Sequence, residues 1–262
     1  MRLFCTFLFS CIITIQASAG GFEANLEEGR LIYRLEKAAW KGTDALLENY
    51  AHLRPRLGGY FTYETGAETR CLFYDVSQTN TLILFTFDKE GHLISENTDT
   101  VARPLNELES DIMDLRTRTM KRIQSDTSIM QYKNCQFNVV TISEKNHKRS
   151  YILTATSAPG YVLIGNDYRI DFDNGNDITE VVKLHQAFLP MKSEGIKQTF
   201  HTHTNDTGPY PTPTEVATLL LYTPYTDWES HIILSEKLVT IFDGKQFIRM
   251  KRKAWEKIMA DR

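Results

Sequence analysis

The chain lacks most of the features that would point directly to a function. After the first 15 of its 262 residues, no stretch approaches the roughly 20 apolar residues of a transmembrane helix. The formal net charge of −3 is close to neutral, and the one basic run, 249–253, is short, which argues against a nucleic-acid-binding surface. No internal repeat and no low-complexity segment is present. What remains is a globular protein without a transmembrane segment and without nucleic acid as a partner.

Cysteine is also scarce. Two of the four cysteines lie in the first 19 residues, which leaves Cys71 and Cys135. If the protein is exported, an even pair indicates a disulfide bond, with two buried free thiols as the alternative. The bond would close a loop of about 65 residues and stabilise the fold by about 4 kcal/mol.

The first 19 residues are typical of a secretory signal peptide. Arg2 precedes a mostly apolar run from Leu3 to Ile15, and Ala17-Ser18-Ala19 forms an A-x-A site that predicts cleavage before Gly20. The segment Leu8-Phe9-Ser10-Cys11 also resembles a lipoprotein cleavage box, which is the less favoured alternative. We therefore expect an exported protein, located in the periplasm or outside the cell.

The remaining 243 residues (262 minus 19) suit one large domain or two small ones. Residues 25–50 have the apolar spacing of a helix, with a possible interruption at Gly42. Residues 60–95 then alternate between turn signals and runs of aromatic and β-branched residues, which predicts an antiparallel meander. A second helix is predicted from Pro104 to about Gln124. We expect a boundary near residue 125, with one α+β domain as the alternative.

The second region, 126–262, mixes strand candidates with helices predicted from Thr179 to Phe188 and from about Pro213 to Tyr222. This pattern predicts an α+β fold with a mixed or antiparallel sheet and flanking helices. The acidic run from Asp171 to Asp177 superficially suggests calcium binding. Val182 stands where an EF-hand loop needs its glutamate, so we interpret the run as a strand leading into a hairpin.

The segment that carries chemistry lies between residues 201 and 215. His201 and His203 end a predicted strand, where residues i and i+2 share a face, so their imidazoles should lie side by side. Glu215, on the following helix, could supply a third ligand and leave a fourth position open, as in catalytic zinc sites. Thr212 to Glu215 also has the pattern of a helix capping box. Core or surface roles for the two histidines are the alternative.

This order of elements resembles the JAB/MPN metallopeptidase signature, the JAMM motif, over roughly residues 136–250. The motif usually reads His-Ser-His-Pro, then Ser, two residues and Asp. The resemblance implies that His201, His203 and Glu215 hold Zn²⁺ and that Thr212 stabilises an oxyanion. It also implies an upstream glutamate as general base; Glu144 fits the chain order best.

Glu180 is the alternative to Glu144 as the base. Because neither glutamate lies in a recognisable motif, the base is the first departure from the JAMM pattern. Two others are that Glu215 replaces Asp and that eight residues rather than seven separate His203 from Thr212. The segment is also similar to a group of exported bacterial proteins that pair H-S-H with S-P-T-D. His185, in the middle of the predicted helix, is expected to pack beside the sheet, with a supporting role next to the metal ligands as the alternative.

The resemblance implies a zinc-dependent hydrolase of amide or isopeptide bonds, acting on a peptide or a cell-wall cross-link. Two alternatives stay open. One is a catalytically inactive module of the same fold that binds a protein partner. The other is an envelope protein without a metal.

Overall fold

The computed structural model describes residues 17–145 and 147–261, so most of the predicted signal peptide lies outside the described residues. The helices are α1 (Ala17–Asn49), α2 (Glu107–Ser125), α3 (Pro213–Tyr222) and α4 (Arg252–Ala260), with short 3₁₀ turns at Ala51–Arg56 and Thr223–Tyr225. The first seven strands are β1 (Leu57–Thr65), β2 (Glu68–Asp75), β3 (Asn80–Phe87), β4 (Leu93–Pro104), β5 (Cys135–Glu144), β6 (His147–Thr156) and β7 (Tyr161–Gly165). The others are β8 (Tyr168–Phe172), β9 (Ile178–Lys183), β10 (Phe188–Lys192), β11 (Gln198–Thr202), β12 (Ser230–Leu234), β13 (Leu238–Phe242) and β14 (Phe247–Lys251).

The strands of the described residues form three four-stranded sheets and one pair. The predicted meander is confirmed as an antiparallel sheet in the order β1-β2-β3-β4. A second antiparallel sheet has the order β5-β6-β8-β9, and β7 pairs with β10. The third sheet, β11-β12-β13-β14, is mixed because β11 runs parallel to β12 while the others are antiparallel. The predicted α+β fold with flanking helices is therefore confirmed.

Helix α1 packs against both parts of the chain. Its apolar residues enter the core with β5 and β6, with β2 and β3, and with α3. Gly42 lies inside the helix and does not interrupt it: a Cβ there would come 2.8 Å from the Cys71 sulfur, so glycine allows close packing on β2. A Cβ at Gly29 would lie 2.4 Å from the Val216 Cβ. Glycine thus brings α1 directly onto α3, the helix that carries Glu215. The domain boundary near residue 125 stays a prediction.

The helix predicted from Thr179 to Phe188 is wrong. The segment forms β9, antiparallel to β8, followed by a bend and then β10. Ile178, Val181 and Val182 are β-branched residues that pack well on a pleated surface, and Val181 lies opposite Ile170 of β8. The predicted hairpin after β8 is confirmed, and Asp173 Oδ1 accepts the N–H groups of residues 175 and 177 within its turn.

The expected disulfide between Cys71 and Cys135 is not formed; both cysteines are free. Cys71 is buried between β2 and α1, while Cys135 begins β5 in a different sheet. The distance between the two cysteines is set by how the strands pair. It cannot be inferred from the number of residues between them. Within residues 17–145 and 147–261, no helix is both long and apolar enough to cross a membrane.

Candidate metal centre

Strand β11 positions the two predicted histidines as the sequence suggested. Thr199 and His201 are buried, while the intervening Phe200 is 63% exposed. The backbone N–H of His203 donates to Leu234 O at 2.7 Å, which extends the pairing of β11 with β12 by one residue. His201 and His203 consequently turn their rings to the same side.

The beginning of helix α3 positions Glu215. Pro213 occupies the first turn, and the Thr212 side chain accepts the Glu215 N–H at 3.2 Å. In return, Glu215 Oε2 accepts the Thr212 N–H at 2.7 Å. The predicted capping box is confirmed. Because it engages only Oε2, it leaves Glu215 Oε1 pointing at the histidines.

Four side chains converge on one point. Glu215 Oε1 lies 2.5 Å from His201 Nε2, 2.9 Å from His185 Nε2 and 3.0 Å from His203 Nε2. The Nε2 atoms of His185 and His203 are 3.2 Å apart. Donors bound at 2.0–2.1 Å to a tetrahedral zinc ion would be separated by about 3.3 Å. The observed separations are shorter than this, and the four ligand atoms all lie within 4.8 Å of one another, so the buried group His185, His201, His203 and Glu215 could hold a metal ion if its donors move apart.

The hydrogen bonds on the far side of the rings show which atoms are available to a metal. His203 Nδ1 lies 3.1 Å from Gly208 O, and a carbonyl only accepts, so Nδ1 carries the proton. In the neutral ring the lone pair is then on Nε2, facing Glu215. His201 Nε2 also faces Glu215 Oε1, yet makes no hydrogen bond despite being buried. Lone pairs directed at a carboxylate oxygen repel it unless a proton or a metal ion lies between them, and one metal ion could engage all of these atoms at once.

His231 is a further histidine of the site that the sequence did not single out. Its Nε2 lies 2.9 Å from His201 Nδ1, and its Nδ1 lies 2.7 Å from Thr199 Oγ1. Burial, followed by the neighbouring His201, lowers the pKa of His231 to about 3, so the ring is neutral. It can accept the His201 Nδ1–H and donate its own proton to Thr199. Metal-binding histidines in proteins usually have such a partner.

The charge of Glu215 depends on the histidines. Burial alone would raise its pKa, but His185, His203 and His201 outweigh burial and hold the pKa well below the usual value. Among the described residues, no lysine or arginine forms an ion pair with this carboxylate. The site is a buried anion surrounded by imidazoles, which is an environment that favours a cation.

Asp167 is a second buried carboxyl group beside the cluster. Burial raises its pKa to about 7, although the Thr154 N–H donates to Oδ1 at 2.8 Å and the Thr214 side chain also bonds to it. It interacts electrostatically with His185. A group that titrates near neutral pH can accept and release a proton under ordinary conditions.

The structure does not bring every predicted site residue to the cluster. Glu144 is exposed at the end of β5, opposite His147 in the hairpin. Glu180 is exposed on β9 and lies 3.5 Å from Arg169. The Thr212 hydroxyl is adjacent to Glu215 but is occupied by the capping box and by Thr214 at 3.2 Å.

Two members of the site escaped the sequence interpretation. His185 lies in a segment whose spacing predicts a helix that does not form. His231 lies on β12, where a lone histidine before Ile232 and Ile233 was the available signal.

Neither models of known protein families, nor curated proteins, nor solved structures match this chain. The JAB/MPN resemblance therefore depends on the motif at residues 201–215, and the helix expected before the His-bearing strand is replaced by β9 and β10.

Proposed function

We propose that the chain is a zinc-dependent hydrolase of amide or isopeptide bonds. The supporting observation is an asymmetry among the four possible ligands. His201, His203 and Glu215 each have their second polar atom held by another group, namely the His231 ring, the Gly208 carbonyl and the Thr212 N–H. His185 Nδ1 is buried and has no hydrogen-bond partner in the described part of the chain. Catalytic zinc sites have three protein ligands and a fourth position for water or substrate. The three oriented side chains would be those ligands, and His185 would lie at the fourth position.

Zinc suits this donor set of imidazole nitrogens and a carboxylate oxygen. When bound, it would act as a Lewis acid on a carbonyl group and lower the pKa of a water molecule towards about 7. The protein residues would orient the ion, exclude bulk water and move the proton.

We assign proton transfer to Asp167 in preference to Glu144. Asp167 is buried beside His185 and has a pKa of about 7, whereas Glu144 is exposed in a hairpin. The oxyanion role of Thr212 remains part of the proposal and requires its contact with Thr214 to open. A peptide or cell-wall cross-link is the proposed substrate, since the N-terminal sequence is typical of exported proteins.

A non-catalytic zinc-binding module is the second candidate, and one observation favours it. All four side chains are buried, and Glu215 and His203 have fully buried side chains. Zinc sites in which the protein supplies all four ligands are usually structural. Such a module would bind a partner without cleaving it.

Two measurements on the purified chain distinguish the candidates. We expect about one zinc ion per chain by elemental analysis, together with cleavage of amide bonds in a library of linear and cross-linked peptides. Asp167→Asn should retain zinc and lose about 100-fold or more of the cleavage rate. Zinc without any cleavage would support the binding module. A wild-type chain that takes up no zinc would exclude both candidates.

A further inference from the structure

We infer that His185 is a displaceable ligand: its side chain closes the metal centre at rest and yields its position to a small external donor. The inference rests on the proposed metal centre, and concerns how that centre opens. The other three ligands keep the ion in place during the exchange.

His185 comes from a different kind of segment than the other ligands. His201 lies on a strand, His203 directly continues it, and Glu215 lies in the first turn of a helix. His185 lies in the four-residue connection between β9 and β10, strands that belong to different sheets. Its side chain is therefore not positioned by a ladder of hydrogen bonds or by a helix.

The backbone around His185 is nevertheless anchored on both sides. The Leu184 N–H donates to Asp167 O at 2.8 Å, and the Ala187 carbonyl accepts the Asn166 N–H at 3.0 Å. A Cβ at Gly165 would lie 2.2 Å from the Ala187 oxygen, so glycine is needed for this contact. Opening the centre then requires rotation of one imidazole and no movement of the chain.

The orientation of the His185 ring is not fixed by a second hydrogen bond within the described residues. A second hydrogen bond normally fixes the orientation of a metal-binding histidine, and loss of that partner typically reduces metal affinity 10–100-fold. Within the described residues, His201 and His203 have this partner and His185 does not. His185 should therefore be the weakest of the three imidazole ligands.

A rotated His185 ring has an acceptor nearby. Asp167 interacts electrostatically with His185, and its backbone carbonyl already accepts the neighbouring Leu184 N–H. The Asp167 carboxyl group can accept an imidazole N–H once the ring leaves Glu215. We therefore expect the displaced His185 ring to turn towards Asp167.

The test compares His185→Ala with His203→Ala, which removes an oriented ligand, in the full chain loaded with Co²⁺ in place of zinc. Visible absorption reports on the geometry of the bound ion, and titration with azide reports on a position open to an external donor. His185→Ala should retain about one Co²⁺ per chain, whereas His203→Ala should lose it. We expect azide to bind His185→Ala at least about 10-fold more tightly than the wild type, because no ring competes for the position.

Two further variants serve as controls. One shows whether a smaller side chain at position 185 disturbs the fold, and the other tests Asp167 as the acceptor of the displaced ring. His185→Gln keeps a polar side chain of similar size and should behave as His185→Ala does. Asp167→Asn should weaken azide binding several-fold, since the displaced ring loses its charged acceptor.

Equal loss of Co²⁺ in the His185 and His203 variants, with wild-type circular dichroism, would overturn the inference and leave the metal centre intact as a four-ligand site. Azide affinity unchanged in His185→Ala would also overturn it. A wild-type chain that binds neither Zn²⁺ nor Co²⁺ would instead overturn the proposed function.

Discussion

Two helices of this protein begin with a capping box and bury a glutamate at the same position of it. The charges of the two glutamates are compensated by different groups. Glu109 in α2 and Glu215 in α3 both occupy the third position of a capping box, and both are almost completely buried. Each uses Oε2 to accept the N–H of its N-cap residue, Asn106 or Thr212. The two sites differ in what faces the other oxygen.

Glu109 faces an arginine. The Arg103 guanidinium makes two bonds of 2.7 Å to the carboxylate, and Tyr63 donates its hydroxyl to Oε1 at 2.7 Å. Burial would raise the pKa of Glu109, but Arg103, Asn106 and Tyr63 lower it overall. The anion is therefore fully compensated by the protein itself, as buried charges require.

Glu215 faces three imidazoles and no permanent cation within the described residues. His203 donates its Nδ1 proton to Gly208 O, so in the neutral ring Nε2 turns a lone pair towards the carboxylate. Arg103 gives Glu109 a positive charge that does not depend on protonation, whereas the described neighbours of Glu215 are imidazoles, and none of them carries such a permanent charge. A divalent cation bound by the same four side chains would supply it.

Glu36 of α1 shows a third way to bury a carboxyl group. Its main partner is the Asn138 amide at 3.1 Å, and burial raises its pKa to about 7. Here a proton, in place of an arginine or a metal, removes the charge below neutral pH.

The largest expected effect concerns metal removal. A chelator should lower the stability of the zinc-loaded wild type by about 4 kcal/mol if zinc was present at 1,000 times its Kd. For a domain of this size, that corresponds to a decrease in Tm of roughly 8–16 °C. Glu215→Gln removes the anionic ligand and should show no chelator effect.

The matched control is Glu109→Gln, which changes the same residue type in the other capping box. Its chelator effect should equal that of the wild type. A chelator effect retained in Glu215→Gln would show that the metal binds elsewhere.

Glu36 should make the folded protein more stable at acidic pH than at neutral pH. Its pKa in the folded state, about 7, exceeds the ordinary value of 4.5, so the folded state holds more protons between these two pH values. The free energy of unfolding should therefore fall as the pH rises through this window, by roughly 3 kcal/mol in total. Glu36→Gln stays neutral and should be more stable than the wild type at pH 8 and similar at pH 4.

Urea unfolding at several pH values measures this slope. Asp167, whose pKa is also about 7, keeps part of the slope in the variant. A slope identical in variant and wild type would show that Glu36 ionises without cost.

His231→Leu should weaken zinc binding 10–100-fold, because the His201 Nδ1–H loses its acceptor in a buried environment. Competition with a chromophoric chelator measures the affinity. Thr199→Val removes only the hydroxyl group that bonds to the far side of the His231 ring, so it should have a smaller effect. Identical zinc affinities in all three proteins would contradict an orienting role for His231.

The smallest effect is expected from Glu109→Gln on stability alone. Gln keeps an acceptor for the Asn106 N–H but weakens both bonds to Arg103, whose side chain is 35% exposed. We expect a loss of about 1–3 kcal/mol in urea unfolding. A loss clearly above about 3 kcal/mol would contradict this expectation and show that the pair with Arg103 behaves as a fully buried ion pair.

The predictable part of the site is the part set by local geometry. The common face of His201 and His203 follows from the two-residue period of a strand, and the position of Glu215 follows from the capping chemistry of Thr212-Pro213-Thr214-Glu215. Both depend on residues close in sequence, and the antiparallel meander was predictable for the same reason.

The missed part depends on contacts between distant segments. His185 reaches the cluster only because β9 and β10 lead it between two sheets, and the β-branched residues before it favour a strand despite their helical spacing. His231 meets His201 through the parallel pairing of β11 with β12, which no local pattern specifies. The expected disulfide was wrong because the fold does not bring Cys71 of β2 within bonding distance of Cys135 of β5.

Elemental analysis of the full chain, purified and then equilibrated with zinc, is the most direct test of whether Glu215 and its three histidines share a cation. The wild type should retain about one zinc ion per chain after desalting, and His203→Ala should retain none. A wild type that retains no zinc, or a His203→Ala variant that retains as much as the wild type, would contradict the account.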